Sequence, residues 1–153
     1  NATEMWYERG EPQTATALGA AITLAGNCPV YEPTTTKDSI TAYSYKGYTL
    51  DQTGLPTFKY EYKQQKITDQ LRVENNRKGL IRTITIEGAS QNTFIRIAQD
   101  PSIKPMGNGL YVVGDHRYFI SVDPSIITSI ENYLGQQVLL VPASSKINYS
   151  IIW

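Results

Sequence analysis

Two charged residues stand where the hydrophobic alternation of adjacent segments asks for apolar ones: Asp69 within Lys66–Glu74 and Arg82 within Leu80–Glu87. Turned outward, a carboxylate and a guanidinium on neighbouring strands form an ordinary cross-strand pair. Turned inward, the same pair is costly to desolvate unless hydrogen bonds satisfy it. The inward arrangement asks for a reason, which makes this pair the first place to look for a site. A second group is aromatic. Phe58, Tyr60 and Tyr62 recur at alternate positions of Thr57–Lys63, and Tyr43, Tyr45 and Tyr48 lie in the segment before it. Alternate side chains of an extended chain share a face, so the rings form a row. Such a row can stack on the C–H face of a sugar, or it can pack between two sheets with its hydroxyls at the rim. Thr57, Lys59, Glu61 and Lys63 already make the other face polar, so interior packing is the expected placement. The candidate ligand-binding residues are Tyr43, Tyr45, Phe58, Tyr60, Tyr62, Asp69 and Arg82, with no catalytic residue and no metal ligand among them.

Other chemistries find no assembled motif. His116, between Asp115 and Arg117, is the single histidine and cannot build a His-rich metal site. Cys28 is the single cysteine, so no internal disulfide, zinc ribbon or CxxCH haem attachment can form. There is no G-x-S-x-G, and Gly107-Asn108-Gly109 reads as a turn, not as a phosphate-cradling loop. Asp51, Glu61, Asp69, Glu74 and Asp115 can in principle converge as a glycoside-hydrolysing carboxylate pair, although no spacing favours any two. Met5 and Met106 read as gap-fillers before haem ligands. No cofactor is expected in this chain.

The elements that position these residues are strands. Ile67, Leu71 and Val73, then Leu80, Ile84 and Ile86, keep the period of two. Asp51-Gln52-Thr53-Gly54, Gln64-Gln65 and Asn75–Gly79 stand between the strands as turns. Gln64-Gln65 is a poor two-residue hairpin pair, so a longer loop is expected there. Residues 43–88 therefore read as a four-stranded meander. Residues 1–42, with Pro29, Pro33 and Thr34-Thr35-Thr36, read as an irregular wrapping segment. Residues 89–153 supply the remaining strands: Thr93–Ala98, Leu110–Val113, Arg117–Val122, and a final pair, Gln137–Val141 with Lys146–Ile152. Asp123-Pro124-Ser125 can cap a short helix near 125–133, against which the β-branched isoleucines argue for strand. Roughly nine strands at such intervals predict a single all-β domain over 1–153, an antiparallel β-sandwich, with jelly-roll-like and Ig-like topologies both open.

Composition bounds the partners. A chain of 153 residues is one ordinary domain able to bury ~70% of its unfolded surface. Its 14 basic and 14 acidic residues balance, which gives no general attraction to nucleic acid. The charge is uneven: residues 44–88 hold eight Lys/Arg and five Asp/Glu, residues 1–43 two and five. No apolar run of the length a transmembrane helix needs exists, so no membrane insertion is expected. The chain opens at Asn1 with no visible export signal, which reads as a processed form or a piece of something larger.

A resemblance adds to this reading. Gly47-Tyr48, Leu50-Asp51, Gly54, Pro56-Thr57-Phe58, Tyr60, Asp69, Leu71, Gly79-Leu80 and Arg82-Thr83 follow a pattern of the form GYxLD, GxPTFxY, D-x-L and GLxRT. Trp6, Arg9, Gly10 and Trp153 fit it as well. This pattern resembles a β domain of large exported bacterial proteins that carry cytochrome c and a quinoprotein-dehydrogenase-like propeller, of the kind found in Planctomycetes, Verrucomicrobia and Bacteroidetes. The chain departs from it at Ala17-Leu18-Gly19, where the family reads Pro-Leu-Gly, and the family's CxxCH lies in another domain. The resemblance implies a periplasmic or extracellular, non-catalytic accessory module, with other domains of a parent protein as partners. It carries over no catalytic residue. A carbohydrate-binding module using the tyrosine row is the alternative, and a small glycan-active enzyme the second.

Overall fold

A computed structural model of the chain describes residues 3–8, 11–16, 29–31, 43–74, 78–89 and 92–153, the first two stretches as backbone only. Arg9, Gly10, Ala17-Leu18-Gly19, Cys28, Pro33, Thr34-Thr35-Thr36 and the Asn75–Arg77 turn lie outside the described residues, as do the side chains of Met5 and Trp6. The described residues form strands and turns with no helix: an antiparallel β-sandwich of two sheets, plus a hairpin. That hairpin pairs β1 (Thr3–Glu8) with β2 (Glu11–Thr16). It corrects the expectation of irregular chain throughout 1–42: Thr3–Glu8 and Glu11–Thr16 pair antiparallel although neither segment carries strong apolar alternation.

The meander expected over 43–88 is present. β4 (Tyr43–Leu50), β5 (Pro56–Tyr62), β6 (Gln65–Val73) and β7 (Gly79–Glu87) lie side by side in chain order. The link between β5 and β6 is not the longer loop expected. Lys63 and Gln64 make a two-residue turn with φ of 49° and 71°, in register with Tyr62 opposite Gln65. Both residues occupy the left-handed region that a tight twist-matched hairpin demands, although neither is Gly or Asn. Eight strands complete the large sheet in the order β4-β5-β6-β7-β14-β11-β10-β9. The last four are β9 (Ile103–Gly107), β10 (Leu110–Val113), β11 (Tyr118–Val122) and β14 (Lys146–Ile152).

The small sheet runs β12-β13-β8-β3, with β3 (Val30–Tyr31), β8 (Phe94–Asp100), β12 (Ser129–Tyr133) and β13 (Gln136–Pro142). Two expectations fail here. Residues 125–133 hold no helix. Asp123 Oδ1 accepts from the Ser125 amide at 2.8 Å and its hydroxyl at 2.7 Å, closing a turn, and the chain then extends into β12 with Ile130 opposite Leu139. β-branched side chains that stiffen an extended backbone have won over the capping signal. Nor do the last two strands pair with each other: β13 lies between β12 and β8, while β14 lies between β7 and β11 in the other sheet. Val138-Leu139-Leu140-Val141 is apolar without alternation and buried on both sides, so it needs cover on both faces. β14 alternates and needs only one.

Cover for β13 comes from two directions. Leu139 and Val141 join the core between the sheets with Ile95, Ile97, Ile84, Ile120 and Ile151. Val138 and Leu140 face away, opposite Gln99 and Arg96. Tyr31 on β3 and Tyr133 on β12 belong to opposite edges of the small sheet, yet their rings meet edge-on at 5.7 Å. They must therefore lie across the two strands between. With eight strands in one sheet and four in the other, the order among the described residues is neither the Ig-like nor the eight-stranded jelly-roll arrangement.

Candidate functional site

β4 and β5 build the aromatic row, and a single extra residue sets its phase. Tyr43 pairs with Tyr62 and Tyr45 with Tyr60; Lys46 then bulges, and Gly47, at φ 96°, restarts the register opposite Lys59. A bulge residue in that region is the ordinary role of glycine. The parity flips, so Tyr48 joins Tyr43 and Tyr45 on the core-facing side, opposite Phe58. Without the bulge Tyr48 would point the other way.

Along that face the environment changes. Tyr62 is 2% exposed and belongs to the core. Tyr43, Phe58 and Tyr60 are half-buried. Tyr45 is 53% and Tyr48 58% exposed, and Leu50, on the same face of β4 opposite Pro56, is exposed as well. The expectation that the whole row is interior packing holds for Tyr62 and fails for Tyr45 and Tyr48. Chain crossing between the sheets is what decides: Gln65, opposite Tyr62, reaches the Thr93 hydroxyl at 3.5 Å, and the Ile86 amide donates to the Ser145 carbonyl at 3.1 Å. The open end also lacks the form of a flat platform. Tyr43 and Tyr60 stack at 5.2 Å and 30°, but Tyr45 meets Tyr60 at 49° and Tyr48 meets Phe58 at 55°.

Asp69 and Arg82 point inward at 4% and 5% exposure. Arg82 donates from Nε to Asp69 Oδ1 at 2.9 Å and from Nη2 to Oδ2 at 2.5 Å, a two-pronged pair. Its Nη1 donates to the Tyr149 hydroxyl at 2.9 Å. Register places Asp69 beside Phe58 and Arg82 beside Tyr149. Burial alone lowers the guanidinium's pKa, but hydrogen bonding to Asp69 and the neighbouring Tyr149 outweighs it, and the net shift is upward. Burial pushes the Tyr149 phenol up, and Tyr60 likewise, there with help from the Asp69 charge. The pair is sealed and satisfied, with no room for a substrate to meet it. Tyr149, 67 residues from Arg82, is the member sequence reasoning missed. Its alternation with Ile147 and Ile151 marks it as inward but names no partner.

The remaining candidates do not converge. Glu61 lies on the opposite face of β5 with Lys46 at 3.4 Å. Asp51 closes the β4–β5 turn, accepting from the Thr53 hydroxyl and the Thr53 and Leu55 amides, which hold its carboxyl below the usual range, and it meets Arg72 at 3.0 Å. Asp115 and His116 occupy the β10–β11 turn, with His116 at φ 59°. Among the described residues no three His, Cys, Asp or Glu side chains are grouped to hold a metal ion, and no helix is long and apolar enough to cross a membrane. No family model, curated protein or solved structure matches this chain. The open aromatic end of β4–β5 is thus the candidate that geometry alone singles out.

Proposed function

We propose that this chain is a non-catalytic accessory module of an exported bacterial multidomain protein, and that it docks another folded domain with the open end of its β4–β5 face. The observation that carries this reading is the exposure of Tyr45, Tyr48 and Leu50 on one face of β4. Rings and aliphatic side chains in one exposed patch match the composition of a protein contact, where buried aromatics supply most of the energy. Tilted rings and aliphatic neighbours suit a folded partner better than the flat face of a sugar. The sequence pattern shared with domains of cytochrome c-bearing, sugar-oxidising proteins points to the same kind of neighbour.

Hydroxyl-radical labelling tests it. Tyr45 and Tyr48 are expected to label freely in the isolated chain and to be protected in the protein as its own cells make it, while Tyr62 stays protected in both. Equal labelling of Tyr45 and Tyr48 in the two preparations rejects the docking surface.

A further inference from the structure

The outer face of the large sheet, the side away from the core, carries a second organised surface. Register aligns Thr49, Thr57, Gln70, Thr83 and Asn148 in one row across β4, β5, β6, β7 and β14. At the ordinary strand separation that row is about 19 Å long. All five side chains are uncharged, and each can donate and accept. Gln70 Nε2 donates to the Thr57 hydroxyl at 2.9 Å, so the row is already linked laterally. Thr49 and Asn148 at its ends are exposed, and the middle three are half-exposed.

The Asn148 end runs into an open groove of about 580 Å³, with Ile81, Ser121, Asp123, Pro124 and Ser150 in its lining. That volume lies within the range of small-molecule sites. Ser121 pairs with Ser150, and Ser150 with Ile81, so two hydroxyls and one aliphatic side chain form the floor across three strands. Pro124 adds apolar surface. Asp123 is the one charged residue of the lining, and its Oδ1 is already taken by Ser125. An anion would meet that carboxylate with no basic residue in the lining, and Arg72, opposite Ile81, is already paired with Asp51 at 3.0 Å. A wholly apolar ligand would leave the Asn148 amide and both serine hydroxyls without partners. A peptide strand pairs through its backbone at a sheet edge, not across a sheet face. What remains is a neutral molecule that pairs hydroxyls with amide, hydroxyl and carboxylate while laying C–H surface on Ile81 and Pro124.

We infer that the groove and the row leading from it bind a neutral, extended oligosaccharide laid across the strands, with one sugar ring in the groove and the next units along Asn148, Thr83 and Gln70. This surface lies on the face opposite the Tyr45–Tyr48 patch, so the inference stands apart from the docking function and does not depend on it.

Isotope-labelled chain titrated separately with cellohexaose, xylohexaose, mannohexaose and maltohexaose, followed by backbone amide shifts, tests it. At least one of the four is expected to shift Ser121, Asp123, Asn148 and Ser150 together. Asn148→Ala is expected to weaken that binding by about tenfold, the equivalent of one lost hydrogen bond. Tyr48→Ala is expected to leave it unchanged. Silence with all four sugars at high millimolar concentration overturns the inference. Shifts confined to Tyr45, Tyr48 and Phe58 overturn it as well, and move sugar binding to the aromatic face in place of protein docking.

Discussion

Tyr62 and Tyr48 sit on the same face of two paired strands, one residue type with opposite fates. Tyr62 is sealed in the core and Tyr48 stands open. Both obey the same period of two, and both neighbour other aromatic rings. What separates them is lateral position beneath the smaller sheet. The chain crosses over the Tyr62 end at Thr93 and Ser145, whereas Tyr45, Tyr48 and Leu50 at the other end stay exposed. Burial of a sheet residue is therefore decided in the third dimension, by what the second sheet reaches, and not by the strand that carries it. Asp69 and Arg82 belong to the covered side of that boundary: Asp69 is paired directly with the half-buried Phe58, yet is almost fully buried itself.

Breaking the covered side should have the largest effect. Arg82→Met leaves Asp69 with a buried carboxylate and no partner, and is expected to cost about 3–5 kcal/mol in denaturant unfolding. The double variant Asp69→Leu with Arg82→Met removes both charges and should recover most of that loss. If the double variant is as unstable as the single one, the pair is not what holds the site together. The Tyr149 hydroxyl would then be the group whose partner matters.

A smaller effect should appear with pH. Burial, helped by the Asp100 charge, pushes the Tyr118 phenol up to about 12. A raised phenol pKa means the folded chain holds its proton where the unfolded chain has released it. The stabilising contribution is thus complete below about pH 10, the ordinary phenol value, and is lost as pH climbs through 12. Burial raises Tyr149 in the same direction. Unfolding midpoints are expected to fall across that interval. Tyr118→Phe should flatten part of the fall, and an unchanged pH slope in that variant would remove Tyr118 from the account.

How much of this was legible in the sequence depends on how local the signal is. Leu110–Val113 and Lys146–Ile152 can be read as strands to the residue, the second because period two is written within it, the first as a short run of β-formers ending at Gly114-Asp115. The meander is legible for the same reason: its turns are short and its neighbours consecutive. The partition of β13 and β14 between sheets is not local. Its one trace is the unbroken Val138–Val141 run, which signals burial on both faces without naming the cover. The Lys46 bulge was not legible in the sequence: Gly47 permits it, but only the paired strand shows that it turns Tyr48 inward. At the candidate site, Asp69 and Arg82 announce themselves as polar intruders, while their direction and their third partner Tyr149 come from a strand that arrives late in the chain. The Thr49-to-Asn148 row was invisible for a related reason. Each member is an unremarkable polar residue on its own strand, and only register makes them one surface.

The smallest effect is the one that most sharpens the contrast between the two ends of the row. Tyr48→Ser removes a ring that is already largely in water and makes its closest ring contact with Phe58 at 6.2 Å. A substitution at so exposed a position is expected to change stability by no more than about 0.5 kcal/mol. Truncating a core aromatic such as Tyr62 to Ala should instead cost about 3–5 kcal/mol. A surface ring retained for packing within this domain would show a cost closer to the second figure, and the docking patch would then be part of the fold. A near-zero cost leaves Tyr48 with no internal task. Its side chain would then be free to act on whatever surface the β4–β5 face meets, and the same variant should weaken that contact without disturbing the fold that presents it.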